Sequence, residues 1–413
     1  MLLTNARLAD GRVVDIDVVD GSIDSIDSIE PSGSGRAAER GASGVDVGHR
    51  LLLPAMAEPH AHLDKALTAE IVPNPGGDLA GAIEAWNRAD AAGAFTHTDM
   101  VDRSRAALDK LLLSGVTAVR SHVNCGVGSG MLHLRAVREA ADSFRDVMHI
   151  ELVALTHSPM SGPDGAENRS LLDEALEVGA HLVGGCPHLE PDGAGAIDVA
   201  LTAAERTGLR VDLHVDETID PAILTLRDLA RAEVDLGLQR RVTASHCVSL
   251  GMQTPDVQAE VAAEVAAAGI AIVPLPQTNL FLQGRDHPQA TPRGLTAIAA
   301  LRSAGVLVAA GGDNVQDPFN LVGRSDPLET AALLVMAGHV LPDDAYEMVS
   351  NDARRLMGLA PVRFEVGDPA DFVAIDAVST REAIADAPAD RMVFRAGRLV
   401  AESSVSRAVY RAG

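Results

Sequence analysis

Apolar positions follow two patterns along this chain. Between about residues 51 and 360, short and nearly continuous apolar runs alternate with longer amphipathic segments. The runs are LLLPAMAEPH (51–60), VTAVRSH (116–122), HIELVAL (149–155), HLVGG (181–185), RVDLH (210–214), RVTASH (241–246), IAIVPL (270–275) and VLVAAGGD (306–313). A run without polar alternation suits a strand buried on both faces, as in a parallel sheet. The segments between them, such as VDRSRAALDKLLLSG and TPDVQAEVAAEVAAAG, are Ala-rich with helical spacing. Many end in Gly, the residue favoured just past a helix C-terminus. Eight such units predict an α/β fold, a (β/α)8 TIM barrel. No GxGxxG follows the first strand, so the usual sign of a dinucleotide fold is missing.

The two ends read differently. Val14, Ile16 and Val18 alternate with Asp15, Asp17 and Val19, a half-buried strand pattern bounded by the turn signals ADG and VDG. FEVGDPADFVAID and RMVFRAGRLVAE give similar short strands near the other end. The economical arrangement is one small β-sandwich domain built from both termini, residues 1–52 and 360–413, around a catalytic barrel at 53–359. Ser32 to Gly44 reads as a flexible loop.

Composition narrows the partners. The 413 residues are 47% apolar and 22% charged, an ordinary globular balance. The net charge of −24, with no Lys/Arg cluster, disfavours nucleic acid. No apolar run approaches the ~20 residues of a membrane span, and MLLTNARLADGR lacks the features of a signal peptide. Cys125, Cys186 and Cys247 are widely spaced and form no CxxC, which suits a reducing, cytoplasmic setting.

Barrel enzymes carry their chemistry at the C-terminal ends of the strands. There the polar residues collect: His60 and His62 after the first strand, His122 after the second, His214 with Glu217 after the fifth, His246 after the sixth and Asp313 after the eighth. Residues i and i+2 of an extended chain share a side, so His60 and His62 reach one point. Packing gives no reason for so many titratable groups at one end of the barrel, and a metal site does. Neutral imidazoles with a carboxylate suit Zn2+ or Fe2+. The chain has only two lysines, Lys65 and Lys110, and none on the fourth strand to bridge two metals. One divalent ion per chain is therefore expected, with Glu190 the remaining bridging candidate.

The set PHAHLDK, VDLHVDE, VTASH and GGDNVQDP resembles the amidohydrolase superfamily, and most closely its bacterial cytosine deaminase branch. The H-x-E…P-C-x-x-C signature of the small cytidine deaminases is absent. The resemblance implies that His60, His62, His214 and Asp313 hold the metal. It implies that Asp313 also accepts a proton from the attacking water, that His246 orients that water and that Glu217 shuttles protons. Family members commonly assemble, so a homo-oligomer is expected. The implied function is a metal-dependent aminohydrolase that releases ammonia from a cytosine-like or related small nitrogen heterocycle. The alternative is a cyclic-amide or N-alkyl-ammelide-type amidohydrolase cleaving another C–N bond. A non-catalytic metal-binding barrel would have no need of Glu217.

The ring-reading positions depart from the cytosine deaminase pattern. His157 stands where a glutamine holds the pyrimidine edge, Asn314 where an aspartate follows the last-strand Asp, and Phe319 where tryptophan is common. Gln283 is a further candidate to read a ring edge, and Asp64 and Lys65 are expected to form an ion pair beside the ligands.

Overall fold

The computed structural model describes residues 1–29, 44–237 and 242–410. Apart from Gly44, the loop expected over 32–44 lies outside them. Seven parallel strands run in sequence order around a barrel: β6 (Met56–Ala61), β7 (Val116–Cys125), β8 (His149–Thr156), β9 (Leu182–Val183), β10 (Arg210–Val215), β11 (Val242–His246) and β12 (Ala271–Val273). The expected eighth strand is present as a looser segment. Residues 306–313 close the ring through the parallel bridges Ile272↔Val308 and Ala61↔Asp313. Gly311 and Gly312 let this segment pass close to β6, since a Cβ at Gly311 would lie 2.5 Å from Glu58 Oε1.

Both ends of the chain join in one eight-stranded sheet, ordered β15 (Arg398–Ser403), β14 (Arg391–Arg395), β13 (Phe372–Ile375), β5 (Leu51–Pro54), β1 (Leu2–Arg7), β2 (Val13–Val19) and β3 (Ser22–Ser28), with β4 (Val45–Asp46) also on β1. The run Leu51–Met56, expected as one strand, is shared between the two sheets. Leu51–Pro54 pairs antiparallel with β13. The chain then passes to the barrel, where Met56 N donates to Gly115 O at 3.0 Å. The strands at this junction are apolar on both faces for a reason. Phe372, Ala374, Leu52 and Phe394 pack into the terminal sheet's own core. Their neighbours Val373, Ile375, Leu51, Leu53 and Val393 belong to the large core that the barrel shares with its helices.

Period-two alternation sorts the barrel strands. On β10, Val211, Leu213 and Val215 face the helices as part of the apolar core. Asp212 and His214 take the alternate face. β7 sends Val119, Val123 and Cys125 outward and turns Arg120 and His122 inward. The barrel interior is consequently polar: buried Arg120 donates to Glu151 Oε2 at 2.9 Å and to Asp212 Oδ2 at 2.7 Å.

Several helices of the structure are not in the predicted set, among them Thr225–Leu236, Pro327–Gly338 and Leu79–Ala91, the one that bears on the site. Leu79–Ala91 lies between β6 and the helix His97–Leu113 and is capped by the Asp78 side chain, which accepts from Gly81 N. Among the described residues, no helix is long and apolar enough to cross a membrane.

Candidate metal and active site

The alternation that fills the barrel also builds the site. Glu58, His60 and His62 follow one another at i, i+2 and i+4 from β6 into its C-terminal end. His60 Nε2 lies 3.1 Å from His214 Nε2, which lies 3.2 Å from His62 Nε2. Asp313 Oδ1 is 3.2 Å from His62 Nε2 and 3.7 Å from His60 Nε2. The four expected ligands thus meet at one buried point.

Hydrogen bonding fixes the tautomer of His60. Ser245 Oγ donates its single proton to Asp212 Oδ1 at 3.1 Å. At 2.9 Å from His60 Nδ1, Ser245 Oγ must then accept, so the imidazole proton sits on Nδ1. Nε2 is left as a free lone pair aimed at the common point. A buried chain from Arg120 through Asp212 and Ser245 therefore orients a ligand, as outer groups do in metal sites.

The donor set fits a divalent ion. Burial, followed by the neighbouring imidazoles, holds His60 and His214 well below the usual histidine range. Burial and the Lys65 charge bring His62 down to about 4. All three are therefore neutral ligands at physiological pH. Burial alone would raise Asp313, but the close approach of His62 outweighs it and its pKa falls below the ordinary carboxylate value. Both Asp313 oxygens and His246 Nε2 are buried without a protein hydrogen-bond partner. Orphaned polar atoms beside neutral imidazoles are the signature of a site completed by a cation. His60, His62 and Asp313 lie close enough together to ligate one ion.

Two strand ends break the alternation to aim their side chains. Ser245 faces inward, so His246 would point to the helices on a regular strand. It adopts φ +69° instead, and Asp313 adopts φ +65°. Left-handed backbone at non-glycine residues is strained and concentrates at functional sites. His246 lines the cavity and its Nδ1 lies 3.1 Å from Asn279 Nδ2. Burial takes its pKa down to about 3. Glu217 Oε1 lies 3.5 Å from His246 Nδ1. Burial, and secondarily the Asp313 charge, push the Glu217 carboxyl well above its ordinary range. A carboxyl with a raised pKa and a carboxylate with a lowered one, Glu217 and Asp313, line the same cavity, the divergence that acid–base chemistry on one substrate requires.

These groups form the floor of a cavity of about 580 Å³. His157, Asn314 and Phe319 line it as well. His157 Nδ1 lies 3.0 Å from the Val127 carbonyl, which can only accept, so its Nε2 is an acceptor. Asn314 donates one of its two amide N–H groups to Asp317 Oδ2 at 2.7 Å. Gln283 is not part of the cavity wall. Its amide donates to the Glu217 carbonyl at 3.1 Å and supports the loop that carries the acid, which corrects its expected place at a ring edge. Glu190 also lines the cavity and accepts from Met160 N at 3.0 Å. His122 packs on His60 at 4.0 Å between ring centroids and is not in the wall. His188 supports the strand end, its Nδ1 3.1 Å from the His214 carbonyl. Burial drives the thiols of Cys125 and Cys186 up to about 12 and raises Cys247 well above its ordinary value, which leaves them inert as nucleophiles.

Some site residues escape the sequence reading. Glu58 accepts from His60 N at 3.1 Å and from Gly312 N at 2.8 Å, tying the strand of the HxH pair to the segment that carries Asp313. Its position two residues before His60 is the signal that identifies it. Trp86 and Asp90 come from the unpredicted helix Leu79–Ala91. Lys65 lies 3.6 Å from Asp64, as expected, and also 3.2 Å from His62 Nδ1 and 2.7 Å from Asn124 Oδ1. His133 is fully buried between Asp64 and Asp90, 3.2 and 3.1 Å away. Glu58→Gln removes one of the two acceptors in its clamp. It is expected to weaken metal binding by about 10–100-fold in chelator competition, and wild-type affinity would show that the clamp does not position the ligands.

Fold and site together define a barrel hydrolase with a buried His/Asp cluster that could hold a metal ion. The chain belongs to the amidohydrolase family, whose model matches residues 98–401. It is 34% identical over 395 residues to the pterin deaminase of Rhizobium rhizogenes, covering 94% of this chain and 88% of that protein. The 5-methylcytosine deaminase of Klebsiella pneumoniae, solved with 5-fluorocytosine, superposes with a TM-score of 0.89 at 28% identity, covering 99% of both chains. The N-isopropylammelide isopropylaminohydrolase of Burkholderia multivorans gives a TM-score of 0.81 at 28% identity, covering 97% of this chain and 98% of that one. This chain is accordingly a hydrolase acting on carbon–nitrogen bonds other than peptide bonds.

Proposed function

We propose that this protein hydrolytically deaminates an aminopyrimidine ring fused to a second ring, the pterin class, using one divalent ion per chain. The observation that carries this reading is the cavity above the acid–base pair. At about 580 Å³ it has several times the volume of one pyrimidine ring and falls in the usual range of small-molecule sites, about 300–1,000 Å³. Trp86 and Phe319 line it and offer apolar surface to a flat bicycle. The identity to a pterin deaminase supports the same substrate class.

His60, His62, His214 and Asp313 would hold the ion, which would supply Lewis acidity toward a water molecule. The protein's own groups move the protons. Asp313 Oδ accepts a proton from the attacking water, and His246 Nε2 holds that water in line. The neutral Glu217 carboxyl gives its proton to the ring nitrogen beside the amino-bearing carbon. As the C–N bond breaks, the proton taken up by Asp313 leaves with the amine as ammonia, and the hydroxyl on the carbon becomes a carbonyl by giving its proton to Glu217, which restores both carboxyl groups.

Ammonia release across amino-pyrimidines, amino-triazines, purines, creatinine-like rings and pterin tests the reading. Pterin is expected to give the highest kcat/KM, with cytosine and 5-methylcytosine lower. Faster release of isopropylamine from N-isopropylammelide would favour the other C–N cleavage instead.

A further inference from the structure

The cavity has a floor of catalytic groups and a separate outer wall. The helix Leu79–Ala91 builds much of that wall, lining it with Leu79, Ile83, Trp86 and Asp90. These recur at helical spacing, so one helix face is turned to the cavity. Opposite, Leu189 and Glu190 follow the short turn after β9, and Leu189 is 46% exposed, which places this side at the mouth.

Asp90 is held rigidly. Ser129 Oγ donates to its Oδ2 at 2.6 Å, and its Oδ1 lies 3.1 Å from His133 Nε2. Burial raises its pKa, but the bonds to His133 and Ser129 outweigh burial and keep it below the ordinary carboxylate value. Cations near the cavity are committed elsewhere. Lys65, the only Lys or Arg among the lining residues, is spent on Asn124, His62 and Asp64. His133 carries positive charge, since the hydrogen bonds and charges of Asp64 and Asp90 overcome burial and lift it to about 9, but it is completely buried behind Asp90. The protein's net charge of −24 adds a long-range field of the same sign as the wall.

We propose that this outer wall selects the substituent on the fused ring by charge. It accepts neutral, hydrogen-bond-donating groups such as hydroxyalkyl chains and rejects anionic ones such as carboxylates. A hydroxyl entering the mouth can donate to the free lone pairs of Asp90 or Glu190. A carboxylate there meets two carboxyl groups, with no free ammonium or guanidinium to pair it. This inference rests on the fused-ring reading above.

The metal-loaded, full-length protein tests it with three probes: unsubstituted pterin, 6-hydroxymethylpterin and 6-carboxypterin. Both ammonia release and equilibrium binding by fluorescence quenching are followed. The carboxylated probe is expected to be poorer than the hydroxymethyl probe by on the order of 100-fold in kcat/KM, chiefly through KM. The gap should narrow at high salt and in Asp90→Asn and Glu190→Gln. Glu190→Gln keeps the test valid if loss of the Asp90 charge disturbs His133. Parity between the two probes within about three-fold would overturn the proposal. If no pterin releases ammonia, the fused-ring reading fails, and the binding arm still decides charge selection, because equal binding of both probes would overturn it.

Discussion

Asp313→Asn is expected to lower turnover by about 10³-fold or more, beyond the loss of an ordinary polar contact. The side chain is almost completely buried, its backbone is held at φ +65°, and neither carboxylate oxygen has a protein hydrogen-bond partner. Asparagine keeps the shape and removes both the charge and the second acceptor. The chain should still fold, because Asp313 N continues to donate to His60 O across the barrel closure. Metal content and kcat measured on the same preparation separate the two roles. Retained metal with lost turnover supports proton acceptance, and lost metal supports ligation. Turnover that survived would remove Asp313 from the mechanism.

Glu217→Gln should lower kcat by about 10²–10⁴-fold and also change the shape of the pH profile. Glu217 acts as an acid, and burial raises its pKa. Wild-type activity is therefore present below that raised pKa and falls as pH climbs through it. Asp313 must be ionised, and its lowered pKa places the acid limb below the ordinary carboxylate range. Glutamine cannot titrate, so the variant should lose the alkaline limb while the acid limb remains. An unchanged alkaline limb would assign it to another group.

Much of this site was legible in the sequence because the barrel turns period-two spacing into convergence. His60 and His62 share a strand face, and His214 occupies the inward position of β10. The rule that found them also places Glu58 inward, but a glutamate inside a barrel is unexpected until the backbone N–H groups of His60 and Gly312 are seen to donate to it. His246 was identified from its place at a strand end and its family resemblance, although alternation alone would point it outward. Only the positive φ, a local backbone choice, brings it to the site. The helix Leu79–Ala91 was missed because it lies in the long connection between β6 and the helix His97–Leu113, where one βα unit predicts one helix. With it went Trp86 and Asp90, which shape the substrate end of the cavity. The shared run Leu51–Met56 was illegible for a different reason: an apolar stretch buried on both faces looks the same in either sheet.

The proposed chemistry needs a single divalent ion, held by three imidazoles and Asp313, for deamination of a fused aminopyrimidine. The most direct test strips the protein with a chelator and titrates Zn2+ back while following ammonia release from pterin. The stripped protein is expected to release none, and release should rise linearly with added metal to a plateau at one ion per chain. A plateau at two ions, or ammonia release that survives stripping, would contradict it.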